Sequence, residues 1–507
     1  MTDRPNILLF MADNQPADLL GCYGNDEVST PHLDALAACG HRFEQAYCVN
    51  AMCSPCRASV LTGLMPSQHG LHNWLDDRLI GQWPENWSAI AEFNALPVML
   101  KQAGYATALI GKFHLGVPFV PQLAFDHWVT FTHGHTTSFY NNEVIDDYQR
   151  YQFAGHTVDF FTDKTIEFLE HRAGQDSPFF AFVPYNGPYG HWPAIKGRAE
   201  NEFASLYDDS DMHSIPREGL NADVLERFGL RVQEGGGVRE QFKGPLLLPN
   251  NVESLRNFFS QVSLIDHGVG RILQTLERLG LDDNTIVIYT ADHGFSLGHN
   301  GIWGHGAAAF PASAHRASYH IPLIVAGAGT RAGATHAGLV SQLDLFPTLT
   351  ALSGAEGGAE GGAEGGVAAG TSGPSLPSAG RDLSAILTGR GVPDDGEQAR
   401  SVFMEQEETR AIRTPDWLYA ARFRGAPGFQ LGDELYDLRQ DPLERYNLID
   451  SPDHAETAAG LRAEVEAFFD RYSQPQYDLW TGGRAKSNVT FNGFWQDAWG
   501  PDWQPLL

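Results

Sequence analysis

The chain reads as an α/β protein. It should hold a large mixed, mostly parallel β-sheet sandwiched by helices, with a smaller C-terminal antiparallel α+β subdomain. Three observations predict this. First, the runs Ile7–Met11, Phe179–Val183 and Ile286–Tyr289 are apolar at consecutive rather than alternate positions, the pattern of strands covered on both faces. Second, the stretches Leu96–Ala103, Thr157–His171 and Val252–Leu279 have helical periodicity and fall between strand-like segments. Third, from about Ala399 the pattern changes to short strands at Val402–Gln406, Arg410–Arg413 and Trp417–Phe423, closed by a helix over Ala455–Tyr472. The expected division is residues 1–395 and 396–507, with a flexible acidic loop at 354–380 whose Ala-Glu-Gly-Gly repeats carry no core-forming content.

The totals narrow the function. Hydrophobic residues make up 42% and charged residues 19% of the 507, an ordinary balance for a globular enzyme. A formal net charge of −28 argues against nucleic acid and anionic membrane surfaces as partners. An anionic substrate therefore needs a local positive site. No stretch approaches the length of a transmembrane helix, and the opening run Ile7–Met11, closed by Asp13, reads as a buried strand rather than the core of a leader. The five cysteines all lie within the first 56 residues, and an odd count favours reduced thiols and a cytoplasmic location.

In chain order, the first strand ends at Asp13-Asn14, two oxygen-bearing side chains at a carboxyl strand end. Such ends gather ligand groups in open α/β sheets, and the pair makes half a site for a hard cation; an Asx turn is the plainer reading. Cys53-Ser54-Pro55-Cys56-Arg57 opens a helix that Gly63 can stop in a left-handed conformation. Cys53 then sits where free N–H groups and the helix dipole favour an anion, with Arg57 one turn on, an arrangement suited to a tetrahedral oxyanion. The strand Tyr105–Gly111 feeds Lys112 and His114, which alternate along an expected extended segment and so point to one side, suiting anion binding and proton transfer. His127, His133 and His135 lie among aromatics and receive no role. The strand Pro178–Pro184 leads towards His191, and residues 194–248 read as an insertion near the pocket mouth. The strand Ile286–Thr290 ends at Asp292-His293, which with Asp13 and Asn14 would complete a metal site. Mixed oxygen ligands with one imidazole suit Ca²⁺, Mg²⁺ or Mn²⁺. The tail, with Trp480, Trp495, Trp499 and Trp503, suits packing or a subunit contact, and a homo-oligomer is compatible with it.

Several of these motifs together resemble the sulfatase family of the alkaline phosphatase superfamily. They are Cys53-x-Pro55-x-Arg57 with Leu61-Thr62-Gly63, Gly111-Lys112-Phe113-His114-Leu115-Gly116, Asp292-His293-Gly294, and Leu435-Tyr436-Asp437-Leu438 followed by Asp441-Pro442 and Asn447-Leu448. The resemblance runs in order along most of the chain. It implies an alkaline phosphatase-like fold and hydrolysis of small-molecule sulfate esters. It implies that Cys53 is oxidised to formylglycine by a formylglycine-generating enzyme, and that the hydrated aldehyde is the nucleophile. By the same match, Asp13, Asn14, Asp292, His293 and residue 53 would hold one divalent cation, Ca²⁺ first. Arg57 and Lys112 would offset charge on the sulfate, His114 would act on the formylglycine hydroxyl, and His191 or His305 would protonate the leaving alcohol. Three departures stand out: Asn14 where the family has an acid, two extra residues before His191, and His305 where many members carry lysine. The alternatives are a phosphonate monoester or phosphodiester hydrolase of the same superfamily, and an inactive metal-binding homologue.

Overall fold

The computed structural model describes residues 4–190, 198–217, 252–355, 376–390 and 401–506. Its main sheet is built from β1 (Asn6–Asp13), β2 (His41–Tyr47), β3 (Ala106–Ile110), β4 (His127–Phe131), β5 (Asn142–Asp146), β6 (Gln149–Phe153), β7 (Phe179–Pro188) and β8 (Thr285–Ala291). After the short pair β9 (Ser296–Leu297) and β10 (Trp303–Gly304), β11 (Leu323–Gly327) and β12 (Ala334–Ser341) complete it. The ten strands lie in the order β12-β2-β11-β8-β1-β7-β3-β4-β5-β6. From β8 through β1, β7 and β3 to β4 every neighbour is parallel. On the flanks, β11 runs antiparallel to both β8 and β2, and β5 runs antiparallel to β4 and β6. The parallel centre is where the apolar runs lie, as two covered faces require.

β1 is the axis of this sheet. All eight of its residues are buried, with Ile7–Met11 at 0% exposure. Each large side chain withdrawn from water there contributes about 1.5–3 kcal/mol. Its register sets Ala12 opposite Ala291, so Asp13 and Asp292 leave neighbouring parallel strands at the same end. The helices Thr157–Arg172 and Val252–Leu279 pack on each other and on β7. The Cys53–Thr62 helix, buried at every position, packs against the helices Leu96–Gln102 and Leu345–Ser353.

The C-terminal sheet is a meander of β13 (Val402–Gln406), β14 (Thr409–Arg413), β15 (Trp417–Arg422) and β16 (Glu434–Asp437), closed by the helix Ala455–Arg471. It is tied to the main body: Glu405 N–H donates to Val49 O at 2.7 Å, and Asn50 Nδ2 donates to Glu405 O at 2.7 Å. Of the tail tryptophans, Trp495 and Trp503 are 0% and 5% exposed in an apolar cluster with Phe310, Phe423 and Phe494, whereas Trp499 is 40% exposed.

Two expectations need correction. β7 continues to Pro188 rather than ending at Pro184, because Asp13 pairs with Pro188 across an irregularity in its ladder with β1. The segment after β3 is not extended at His114, whose φ is +49°. Lys112 and His114 therefore reach the same place by a turn of the chain and not by alternation along a strand. The low-complexity repeats and most of the 194–248 insertion lie outside the described residues.

Candidate active site

The site is assembled where β1, β3, β7 and β8 end. A non-glycine residue with positive φ stands just past three of those ends: Asn14 at 65°, His114 at 49° and Tyr189 at 49°. Such conformations cost on the order of 1–3 kcal/mol each and persist only where the surroundings enforce them.

The Cys53–Thr62 helix points its N-terminus into this region. Met52 caps it in an extended conformation, and Gly63, at φ 68°, stops it with its N–H donating to Ser59 O at 2.8 Å. An added Cβ on Gly63 would come within 2.8 Å of Ser378 Oγ, so glycine is required there for space as well as for φ. Cys53 occupies the first helical position, 5% exposed, with Sγ 3.2 Å from His114 Nδ1. Burial alone would push the Cys53 thiol up, but the Lys112 charge and the neighbouring His293 outweigh it and bring the thiol down to about 7.

Beside Cys53 lie the two acids. Asp292 Oδ1 accepts the backbone N–H of Asn14 at 3.1 Å and of His293 at 2.8 Å. Asp292 Oδ2 accepts Arg57 Nε at 3.2 Å and Nη2 at 2.9 Å. Arg57 Nη1 donates to Lys112 O at 2.5 Å. The guanidinium is thus spent on Asp292 and the backbone, which makes it the brace of the acid cluster rather than a free anion clamp. Lys112 Nζ contacts Asp13 Oδ2 and stands 5.0 Å from the Tyr189 ring centroid. The charges respond to this crowding. Burial raises Asp13 to about 6, with the Asp292 charge adding to it and the Lys112 charge opposing it. Burial also works against the charged form of Asp292, but the cations of His293, Arg57 and Lys112 hold it well below the carboxylate range. Burial disfavours a charged His293, yet Asp292 and Cys53 raise it to about 9. For His114, burial and the Lys112 charge act together and lower it to about 4.

The donor set fits a hard divalent cation. Ligand atoms of Asp13, Asp292 and His293 lie within 4.8 Å of one another, all three residues buried. Among the described residues Asp13 Oδ1 has no hydrogen-bond partner, and Arg57 Nη2 lies 3.9 Å from it. Asn14 Nδ2 is likewise unpartnered. A buried carboxylate oxygen without a donor is costly unless something positive meets it.

Of the residues picked out in the sequence, Asp13, Asn14, Cys53, Arg57, Lys112, His114, Asp292 and His293 come together here. His305 joins them at the margin, its ring 4.9 Å from that of His293. His191 lies outside the described residues. Sequence reasoning missed Tyr189, which covers Lys112, and Asp77, which bonds His135 next to His114. Fifty-eight residues separate Asp77 from His135, so no motif could have joined them.

Acids at the ends of parallel strands, a buried cysteine at a helix N-terminus and a lysine–histidine pair facing it define a hydrolase of the alkaline phosphatase superfamily. The sulfatase family profile matches residues 5–355, and the chain belongs to that family; it is a sulfatase. It is 27% identical over 548 residues to the N-acetylglucosamine-6-O-sulfatase of Bacteroides thetaiotaomicron, covering 97% of this chain and 90% of the relative. Among solved structures, that of BT4656 in complex with its substrate D-glucosamine-2-N,6-O-disulfate superposes with a TM-score of 0.70 at 23% identity, covering 92% of this chain and 98% of that one. The fold is shared too with the phosphonate monoester hydrolase of Agrobacterium radiobacter, at a TM-score of 0.66 and 20% identity, covering 92% of this chain and 96% of the other.

Proposed function

We propose that this sulfatase hydrolyses the sulfate monoester of a saccharide, using formylglycine formed from Cys53 and a divalent cation, Ca²⁺ by its donor set, held by Asp13, Asn14, Asp292 and His293. The observation that carries the reading is the position of Cys53: buried at a helix N-terminus, 3.2 Å from His114 Nδ1, beside the cluster of Asp13, Asp292 and His293. The saccharide is supported by relatives named for N-acetylglucosamine, ulvan and N-acetylgalactosamine substrates.

The hydrated aldehyde would supply a hydroxyl nucleophile at residue 53, and the cation would supply Lewis-acid polarisation there. The chain's own groups do the rest. His114 Nε2 lies 3.1 Å from Leu75 O, which makes it the N–H end of the ring and leaves the Nδ1 lone pair for a hydroxyl at residue 53. Lys112, kept cationic against its burial by Asp13, offsets negative charge on the sulfate oxygens. Arg57 keeps Asp292 ionised and oriented. His305 would protonate the leaving alcohol, and His191 is the second candidate for that step.

The test is production alongside a formylglycine-generating enzyme, mass analysis of the peptide containing residue 53, and parallel assays with a 6-O-sulfated glucosamine, an aryl sulfate, a phenyl phosphonate and a phosphodiester. Conversion of Cys53 with preferential sulfate release supports the reading. Faster turnover of the phosphonate or the phosphodiester would replace it with the rival hydrolase. No turnover of any ester with Cys53 unconverted would mark an inactive metal-binding homologue.

A further inference from the structure

His114 is gripped by two segments that no motif connects. On one side, Leu75 O lies 3.1 Å from its Nε2. On another, the backbone at Gly134 presses on its ring so closely that an added Cβ would lie 2.0 Å from His114 Cδ2. The ring of His135 completes the enclosure edge-on, 4.6 Å away at 66°. Asp77 ties the two segments together. It begins a short 3-10 helix two residues after Leu75. Its Oδ1 accepts the Gly134 N–H at 2.7 Å; its Oδ2 accepts the His135 N–H at 2.9 Å and the His135 ring at Nδ1, at 2.8 Å. Burial raises this carboxyl, but its hydrogen bonds with His135 overcome that and hold it far below the carboxylate range.

Asp77, His114 and His135 also have the spacing of a metal cluster, with ligand atoms within 4.8 Å of one another. The bonding argues otherwise. Both Asp77 oxygens already accept from N–H donors, and His114 Nε2 is engaged by a carbonyl, so the geometry is that of a hydrogen-bonded clamp.

We propose that Asp77 is a positioning residue of this active site: it holds the Gly134–His135 segment against His114 and so fixes that ring with Nδ1 towards residue 53. This deepens the sulfate-ester reading and rests on it. A group that exchanges a proton with the nucleophile must be held in one tautomer and one place, and a displacement of about 1 Å can lower the rate about 100-fold.

The experiment compares Asp77→Ala, Asp77→Asn and Gly134→Ala with the wild type. Asp77→Ala and Gly134→Ala should each lower kcat about 100-fold while KM moves less than about threefold. On a His114→Ala background, Asp77→Ala should change kcat by less than about twofold, since its effect passes through that ring. Side-chain ¹⁵N spectra of the histidines should show that His114 has lost its single tautomer in Asp77→Ala. If that variant does not fold, Gly134→Ala and Asp77→Asn carry the same readouts. Unchanged kcat and unchanged His114 signals, or additive losses in the double variant, would overturn the proposal. A wild type that turns over no sulfate ester, with His114 still released in the Asp77 variants, would overturn the functional reading and leave the clamp standing.

Discussion

Two buried ionic regions of this molecule are built to different rules. Where the C-terminal sheet meets the main body, the acids are answered by donors. Glu405 Oε1 accepts Arg410 Nε and Nη2 at 3.0 and 2.8 Å, and its Oε2 accepts Ser67 N–H at 2.8 Å. Glu444 receives Arg413 on one oxygen and, on the other, His315 and the Arg316 N–H. In the active site, Asp13 Oδ1 has no donor and Asn14 Nδ2 no acceptor among the described residues. Backbone strain does not separate the two, because Glu407 and Glu444 have positive φ just as Asn14 and His114 do. What separates them is how the acids are met: Glu405 and Glu444 accept donors on both oxygens, whereas Asp13 keeps one oxygen open to a cation.

Four predictions would break or sharpen that contrast. The largest effect belongs to Cys53→Ala, which should lower kcat/KM by at least about 10⁴-fold with an unchanged circular dichroism spectrum. Near-wild-type hydrolysis would remove residue 53 from the chemistry. Next, chelation should abolish turnover and Ca²⁺ should restore it. Ca²⁺ at about 100 times its Kd should also stabilise the wild type by about 2.7 kcal/mol in thermal melts. Asp13→Ala should lose that stabilisation, and a cation-induced shift that survives in this variant would place the ion elsewhere.

At the seam, Arg410→Ala should cost about 3–5 kcal/mol of stability, because it strands Glu405 and Asp478 in the interior. The folded fraction should keep its kcat, and a selective loss of kcat would show that the seam is not separate from the chemistry.

The smallest effect is a pH dependence within the seam. Burial and the neighbouring Glu408 raise Glu407 from its ordinary 4.5 to about 7. Its folded form therefore binds the proton more tightly than its unfolded form. That contribution to stability is fully present below pH 4.5 and is lost as the pH rises through about 7. Glu444 has the opposite sign. Burial opposes its charge, but Arg413 and His315 lower it from 4.5 to about 2, so its contribution is present above 4.5 and is lost as the pH falls towards 2. Melts of Glu407→Gln against the wild type should shift in favour of the variant between pH 4.5 and 7, and a flat difference would refute the buried-acid reading.

By itself the sequence determined the architecture and named most of the residues that meet at the candidate site. Consecutive apolar residues in β1, β7 and β8 can be stable only inside a sheet covered on both faces, and the strands end where Asp13 and Asp292 interrupt those runs. Gly63 and Pro55 bound the Cys53 helix by local backbone rules that need no tertiary context, and the period of Val252–Leu279 is likewise a local property. The tertiary structure alone decided which charges meet. Arg57 is spent on Asp292, Lys112 leans on Asp13, and His114 bends into a left-handed turn. Asp77 finds Gly134 and His135 across a gap in sequence that carries no signal. Local conformation follows from neighbours along the chain, whereas a buried charge takes its partner from whichever segment the packed sheet brings within about 3 Å.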